Sequence, residues 1–292
     1  MPPRLLDRVA PLAFVLLWSS SFIAARVGLN HITPLLFVAL RMVVCAVVLV
    51  GAMVVLRRPW HVLRGRWLHC AVAGVLINAV LLMTAHVAMT HIQAAPIALV
   101  QTLNPLLTAL LASRLLGERL APRQWLGLLL GMTGVVMIVG LAATRSTVEL
   151  GGLLLTTAGV LSLCAGTLYF GRFCRGVPML PNAAVQFTAS AIVCLLGMLA
   201  FEHPRAHWSP GAIAAIAWNV AGVSLGGMAL YFVMLTRGTA ARTTANFYLV
   251  PGVAALLAWA VLGERLGPVT IGGLAVASLG CWLVRRRQPG PG

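Results

Sequence analysis

The chain has 292 residues, of which 60% are hydrophobic and 9% are charged, and its mean hydropathy is +0.97. These values exclude an ordinary soluble domain and indicate an integral membrane protein. The formal net charge of +16 is carried by arginine, since the sequence contains no lysine. No soluble basic module fits between the apolar runs, so this charge does not indicate a nucleic-acid partner.

Apolar runs of membrane-spanning length follow one another along the chain. A transmembrane helix needs about 20 mostly apolar residues, and the runs that meet this length predict an all-α integral membrane fold with ten transmembrane helices. Arg4 and Arg8 precede the first run, which we interpret as an uncleaved helix, because cleavage as a signal peptide would leave nine spans. The predicted spans are approximately 10–29, 34–56, 67–89, 94–116, 122–141, 150–171, 182–201, 211–236, 240–262 and 268–284.

The arginines predict how the spans are oriented. With the N-terminus in the cytoplasm, most arginines fall in cytoplasmic connections, as the positive-inside rule requires. Only Arg145, Arg205 and Arg265 then lie in outer connections. Both termini are therefore predicted to be cytoplasmic, with the positive charge facing the lipid headgroups.

A short polar stretch indicates an internal duplication. LGERLAP at 116–122 returns as LGERLGP at 262–268, an offset of 146 residues in a chain twice that long. Gly117 and Gly263 are expected to end helices in the left-handed conformation, and Pro122 and Pro268 to occupy the first turn of the next helix. The two repeats are 1–146 and 147–292. Each holds five spans, an odd number, so the second is predicted to be inverted, as in many secondary transporters.

Four stretches carry a family resemblance. They are WSSSFIAARVGL (18–29), LRMVV (40–44), PIALVQTLNPLLTALLASRLLGERLAPRQWLGLLLGMTGVVMIV (96–139) and FYLVPGVAALLAWAVLGERLGPVTIGGLAVASLG (247–280). Together they resemble the EamA-type, ten-helix branch of the drug/metabolite transporter superfamily. The resemblance implies a 5+5 inverted repeat and export of small metabolites or drugs across a bacterial inner membrane. It does not imply a particular substrate.

Polar side chains in several spans recur at helical spacing and predict a substrate pocket near the membrane midplane. Each has a plainer alternative, because serine bonds its own backbone, amides join helices, and tryptophan and tyrosine line the membrane interface. Pro105 and Pro251 are expected to break spans 4 and 9. The pocket candidates are Trp18, Ser21, Asn78, His86, Gln101, Asn104, Tyr169, Tyr231, Asn246 and Tyr248.

Charged residues inside or next to the spans are candidates for gating. Arg41 lies within span 2, where a charge is costly, and it is expected to tether that span to its neighbours or to bind a substrate carboxylate. The alternative is that it reaches the membrane interface, as we expect for Arg26. Glu118 and Glu264 are expected either to form gate salt bridges or to be solvated carboxylates near a helix N-terminus.

Spans 5 and 10 carry glycine at helical spacing and almost no polar side chains. Small-residue faces of this kind allow helices to pack closely. We therefore predict that these two spans are scaffolding or an oligomer surface. In the resembled family too, the last helix of each half is peripheral.

These features predict a secondary transporter that exports a small metabolite by alternating access, favouring an amino acid or a derivative, with a drug-like compound as a further option. No carboxylate lies within a span and His86 is the one deep titratable group, so proton antiport, exchange and facilitated diffusion stay open. A membrane-embedded enzyme and a non-transporting partner subunit are the alternative functions. No enzymatic activity, cofactor or metal is predicted, and the chain is expected to be a monomer or homodimer.

Overall fold

The structure is a computed structural model that describes residues 3–101, 103–104, 107, 111, 122–174, 176–230, 234, 249–264 and 267–285. Regular structure in this part of the chain is helical, and its one β-type contact is an isolated bridge between Ile32 and Ala206. The helices are α1 (Pro3–Leu29), α2 (Pro34–Val55), α3 (Trp67–Met89), α4 (Ala94–Gln101), α5 (Pro122–Arg145), α6 (Thr147–Phe173), α7 (Met179–Phe201), α8 (Pro210–Leu230), α9 (Val250–Leu262) and α10 (Pro268–Arg285).

Two of these helices contain π-helical turns, and a short 3-10 helix lies between two others. The π segments are Val75–Val80 in α3 and Trp218–Gly227 in α8. The 3-10 helix, Trp60–Leu63, lies between α2 and α3. A π-helix bonds each residue to the one five positions on, and it changes which side chains share a face.

Six of the described helices are long and apolar enough to cross a membrane, namely α1 from Val9, α2, α3, α6, α7 and α8. Large apolar side chains lie on the outer surface of these helices. Val47 is 66% exposed, Leu199 is 70% exposed and Phe201 is 84% exposed. Such a surface suits lipid and not water, so the fold is that of an all-helical integral membrane protein.

The expected helix ends around the repeated LGERL stretch are found where the structure describes them. Gly263 ends α9 with φ 66°, in the left-handed region that glycine enters without steric cost. Pro122 begins α5 and Pro268 begins α10, which confirms both predictions. Gly117 and Glu118 lie outside the described residues.

The chain forms two compact units. One contains Met1–Ile23, Ile92–Leu153 and Gly226–Gly292, and the other contains Ala24–His91 and Leu154–Leu225. In the first unit, α5 packs along α10 and α4 contacts α9. In the second, α7 packs against α2 and α3, and α2 also contacts α3 and α8. Each unit takes helices from both predicted repeats.

Glycine allows the helices of each unit to approach closely. A Cβ atom at Gly280 of α10 would lie 2.5 Å from the backbone oxygen of Gly127 and 2.5 Å from the backbone nitrogen of Gly131, both in α5. The glycine faces of α5 and α10 therefore pack on each other, as small-residue faces allow. In the second unit, a Cβ atom at Gly74 of α3 would lie 2.5 Å from the Gln186 Cα atom of α7.

The start of α2 is fixed by residues that are distant in sequence. Thr33 makes no side-chain cap, and the backbone nitrogens of Leu35 and Leu36 instead donate to the Glu202 carboxylate oxygens at 3.0 and 2.9 Å. The backbone nitrogen of Thr33 also donates to the Arg205 oxygen at 3.0 Å. Because a carboxylate suits the positive end of a helix, the segment after α7 holds α2 in place about two turns before Arg41.

Candidate functional site

A buried cation in α2 is the centre of the site in the second unit. Arg41 is 5% exposed. Its Nε donates to the Ser224 hydroxyl at 2.9 Å, and its Nη1 donates to the Asn219 Oδ1 at 2.8 Å. The Asn219 Nδ2 in turn donates to the Ala215 oxygen at 3.1 Å, which fixes the amide orientation. Arg41 thus tethers α2 to α8 and does not reach the membrane interface.

The guanidinium is bound by neutral groups. No carboxylate among the described residues pairs with Arg41, and the ligands that it has are a hydroxyl and an amide. Neutral acceptors satisfy the hydrogen bonds of a cation but leave its charge in place. The site therefore keeps a positive charge inside a membrane-spanning helix.

The π-helical turn of α8 explains how one cation meets both side chains. Asn219 and Ser224 are five residues apart, and in an α-helix they would point about 140° apart around the axis. Both lie within the π segment Trp218–Gly227. A π-helix bonds residues five apart and has a wider turn than an α-helix, which reduces this angle, and both side chains accept from Arg41.

His86 of α3 lies within electrostatic reach of Arg41. It is 2% exposed, and the Phe37 ring stacks on it with centroids 5.5 Å apart. Its Nδ1 lies 2.8 Å from the Leu82 oxygen, and a carbonyl only accepts, so the Nδ1 carries the hydrogen. The Nε2 is then an acceptor, and it has no hydrogen-bond partner among the described residues. Phe37 lies one helical turn before Arg41 on α2, and the imidazole is close enough to the guanidinium for the charge of Arg41 to act on it.

Asn78 lies in the π segment of α3, and its Nδ2 also lacks a hydrogen-bond partner in the described part of the chain. Helix α6 packs beside this segment, where the Ser162 hydroxyl donates to the Leu76 oxygen at 2.9 Å. Asn78 and His86 lie on the same helix, α3, about two turns apart. No described hydrogen bond joins Asn78 to Arg41.

Tyr169 lies apart from Arg41, near the start of α3. Its hydroxyl lies 2.7 Å from the His69 Nδ1, and its ring contacts Phe173 with centroids 4.6 Å apart. His69 lies at the start of α3 and His86 near its end, roughly 25 Å apart at 1.5 Å per residue. Tyr169 is part of an aromatic cluster at the end of α6.

The first unit contains other predicted residues. The Trp18 ring contacts Phe14 with centroids 5.4 Å apart, and the Ser19 hydroxyl donates to the Val250 oxygen at 3.1 Å. Ser21, Gln101 and Asn104 are half-buried. Pro251 lies in the first turn of α9, where proline fits. Tyr231, Asn246, Tyr248 and Pro105 lie outside the described residues.

Two charged residues differ from the sequence-based expectations. Glu264 is 9% exposed, so it is not a solvated turn carboxylate. The Arg26 Nη1 donates to the backbone oxygen of Met89, the last residue of α3. A cation at a helix C-terminus is stabilised by the helix dipole, so Arg26 joins α1 to α3 at the ends of both helices.

Sequence reasoning missed several buried polar residues. Asn219 was missed because its place beside Ser224 depends on the π-helix, which no side-chain periodicity reveals. Asn182, Gln186 and Ser190 of α7 were also missed, although their four-residue spacing is visible in the sequence. The Gln186 Nε2 donates to the Asn182 Oδ1 at 3.1 Å, and the Ser190 hydroxyl donates to the Gly74 oxygen at 2.9 Å. Ser190 thus joins α7 to α3, and the amide pair lies within α7.

Comparisons with known proteins agree with this architecture. The uncharacterised inner membrane transporter YedA of Escherichia coli strain K12 is 25% identical over 243 residues, covering 82% of this chain and 77% of YedA. The uncharacterised transporter YvbV of Bacillus subtilis strain 168 is 23% identical, covering 82% of this chain and 79% of YvbV. A probable terminal-alkyne amino-acid exporter of Streptantibioticus cattleyicolor is 28% identical, covering 94% of this chain and 92% of the exporter.

A solved crystal structure shares the fold with a TM-score of 0.64 and 23% identity, covering 95% of both chains. The model of the EamA-like transporter family matches residues 9–140 and 150–286, which is nearly the whole chain. With its apolar helices and inner membrane relatives, this protein is a multi-pass protein of a bacterial inner membrane. The chain belongs to the EamA-like transporter family.

Proposed function

We propose that this transporter exports a small metabolite from the cytoplasm by alternating access, and that an amino acid or an amino-acid derivative is the substrate. A drug-like compound that carries an anionic group is the second candidate. The proposed architecture is ten spans in a 5+5 inverted repeat, 1–146 and 147–292, with both termini in the cytoplasm. Alternating access in such proteins uses the two conformations that an inverted repeat makes available.

Two observations support the repeat. The family model matches one segment in each half of the chain, at 9–140 and 150–286. Helices that occupy the same place in the two halves also contact each other within a unit, because α2 packs on α7, α4 on α9 and α5 on α10. Contacts between equivalent elements are expected where a two-fold axis relates two repeats.

The buried charge of Arg41 carries the proposal for the substrate. A cation with no described carboxylate partner raises the free energy of bringing a second cation nearby, and it lowers that of bringing an anion. The neighbouring His86 Nε2 is an acceptor without a described donor. A zwitterion supplies both missing groups, a carboxylate for the cation and an ammonium donor for the imidazole. The name of the Streptantibioticus cattleyicolor relative supports the same class.

The remaining pocket candidates stay part of this proposal. They are Trp18, Ser21, Asn78, Gln101, Asn104, Tyr169, Tyr231, Asn246 and Tyr248. Pro105, Pro251, Glu118 and Glu264 remain candidates for gating. We further propose that the chain is not an enzyme, since the family and the relatives are transporters. We propose that the protein works as a monomer or a homodimer. We also propose that transport needs no cofactor.

Mass spectrometry of the medium and the cytoplasm tests the proposal. Cells that express the intact chain are compared with cells that lack it and with an Arg41→Met variant. Thr133→Ala is the matched control, because Thr133 is exposed on α5 and bonds its own backbone at 2.8 Å. We expect an amino acid or derivative to accumulate in the medium with the intact chain and with Thr133→Ala, but at least tenfold less with Arg41→Met at equal membrane abundance.

Enrichment of a strongly cationic compound would contradict the assignment of the substrate. Uptake of the identified compound is then measured in liposomes that contain only the purified chain. This measurement distinguishes a transporter from a membrane enzyme and from a non-transporting partner subunit. A membrane enzyme would convert the compound, and a partner subunit would leave the liposomes inactive.

A further inference from the structure

We propose that the connection between α2 and α3, residues 56–66, binds the phosphate groups of anionic phospholipids. This connection, here called the arginine loop, joins two helices that are each long and apolar enough to cross a membrane. It must therefore lie at a bilayer surface, whichever side that is. Its charged side chains are Arg57, Arg58, Arg64 and Arg66. The site requires membrane insertion alone and is independent of the transported compound.

The backbone of the arginine loop is held in one shape. The nitrogens of Arg57 and Arg58 donate to the Val54 and Met53 oxygens at 3.0 and 2.9 Å. After the 3-10 helix, the nitrogen of Arg64 donates to the His61 oxygen at 3.0 Å. A site that is ordered before it binds loses less entropy on binding.

One apolar side chain anchors the loop to the helices. Leu63 is 4% exposed and packs in a cluster with Cys70 of α3 and Cys174 at the end of α6. The nitrogen of Arg66 donates to the Leu63 oxygen at 2.8 Å. The loop therefore lies on the folded helices as a fixed surface and presents its arginines outward.

The conformation of Arg57 is unusual for an arginine. Its φ is +48°, in the left-handed region, at the place after a helix where glycine is the usual residue. A side chain in this region costs free energy that glycine avoids. This cost is offset if the guanidinium gains an interaction, and the described part of the chain supplies no acidic partner for it.

Three of the four charges of the loop lack partners among the described residues. Arg57, Arg58 and Arg64 are exposed and form no ion pair or side-chain hydrogen bond with any described residue. The guanidinium group binds phosphate through two parallel hydrogen bonds and is weakly hydrated compared with an ammonium group. Headgroup phosphates of anionic lipids supply charge of the opposite sign at the depth where the loop lies.

Two tryptophans, one within the loop and one directly after it, favour a lipid over a soluble anion. Trp60 is 46% exposed and Trp67 is 60% exposed, and Leu68 beside it is 56% exposed. Indole rings are stable at the boundary between headgroups and acyl chains. A ligand that meets both the arginines and the indoles has a phosphate and an apolar chain. Free phosphate or an acidic peptide would leave the tryptophans exposed.

Native mass spectrometry of the purified full-length chain in detergent tests this site. The chain is titrated with phosphatidylglycerol, and with phosphatidylcholine as the neutral lipid. The test variant is Arg57→Gln with Arg58→Gln and Arg64→Gln, and the charge-preserving variant has lysine at the same three positions. Arg205→Gln removes an exposed arginine from another connection and is the control for the loss of a surface charge outside the loop.

We expect the intact chain to bind phosphatidylglycerol at least tenfold more tightly than phosphatidylcholine. Each arginine near a charged surface contributes about fivefold in affinity, so the triple glutamine variant is expected to lose at least tenfold. The lysine variant should fall between the two, because it keeps the charge and loses the paired hydrogen bonds. Arg205→Gln should bind as the intact chain does.

Three results would overturn the proposal. The first is equal affinity for the two lipids, and the second is a triple glutamine variant that binds phosphatidylglycerol as the intact chain does. The third is release of the lipid by millimolar inorganic phosphate, which would make the tryptophans irrelevant. Circular dichroism of the variants shows whether they are folded, which we expect because all three side chains are exposed.

Discussion

At the scale of single residues, the protein keeps a cation inside the membrane by surrounding it with neutral acceptors. A carboxylate partner would cancel the charge of Arg41, whereas Ser224 and Asn219 satisfy its N–H groups and leave the charge available to a ligand. The desolvation cost of the guanidinium is offset by these bonds. An anionic group that enters later therefore gains the full Coulomb attraction of the cation.

The role of His86 follows from its two nitrogens. If its Nε2 accepts a hydrogen bond from the substrate, His86→Gln is expected to keep most of the transport rate, because the glutamine amide supplies an acceptor oxygen. His86→Leu should lower transport at least tenfold, since it has a similar volume and no acceptor. The measurement is uptake of the identified substrate by liposomes with and without a pH gradient.

The pH gradient distinguishes this role from proton transfer. Glutamine cannot carry a proton at neutral pH, so His86→Gln would abolish transport driven by the gradient if His86 were the proton carrier. Such a result, with intact exchange of substrate in both directions, would replace the acceptor role by a coupling role.

At the scale of helices, Glu202 provides the cap that α2 lacks in its own sequence. Its two carboxylate oxygens accept from Leu35 and Leu36. Glu202→Ala is expected to destabilise the protein by about 1 kcal/mol, the usual cost of losing a helix cap. The thermal unfolding midpoint in detergent measures this loss. Glu149→Ala removes a similar charge from the first turn of α6, where the carboxylate accepts no described hydrogen bond, so a drop of equal size there would refute the capping role.

Replacing two glycines with alanine distinguishes the effect of close helix packing on stability from the effect of helix propensity. Gly74→Ala brings a Cβ atom to 2.5 Å from the Gln186 Cα atom, so we expect a loss of about 2 kcal/mol or more, because backbone must move. A Cβ atom at Gly51 of α2 meets nothing within 4 Å, so Gly51→Ala should leave the protein unchanged or stabilise it by up to about 1 kcal/mol. Unfolding midpoints of the two variants give the comparison, and equal midpoints would show that α3 and α7 separate easily.

Helix ends were predictable from the sequence where local backbone chemistry decides them. Pro122, Gly263 and Pro268 lie where their conformational preferences put them. The cap of α2 was not predictable, because Glu202 is 167 positions from Leu35 in the sequence. Only tertiary structure brings the two together.

The candidate site was predictable in part for the same reason. The free-energy cost of a charge inside the membrane indicated Arg41. Asn219 depends on a π-helix, for which the sequence gives no periodic signal. Tyr169 shares the polar character of a pocket residue, but its partner His69 lies at the far end of α3.

At the scale of the whole molecule, the two π segments add to the evidence for a duplicated chain. An offset of 146 residues carries Val75–Val80 onto positions 221–226, which lie inside the π segment Trp218–Gly227. A π-helix is rare and often marks a functional position, so its recurrence at equivalent places in spans 3 and 8 is unlikely to arise from unrelated halves. The site built on α8 thus has a counterpart around Asn78 in α3.

The same offset supplies a test of inversion. It carries His61, in the arginine loop, onto His207, in the connection between α7 and α8, and both side chains are exposed. Equivalent positions of parallel repeats would lie on one side of the membrane, whereas those of inverted repeats lie on opposite sides. The described native cysteines at 45, 70, 164, 174 and 194 are buried and should react slowly.

We therefore expect a membrane-impermeant maleimide to label His207→Cys in intact cells and to leave His61→Cys unlabelled until the membrane is permeabilised. The arginines decide this direction, because the arginine loop carries four of them and the connection 202–209 carries one. Labelling of both variants in intact cells would exclude inverted repeats. Labelling of His61→Cys alone would keep the inversion and reverse the orientation, so that the termini would lie outside.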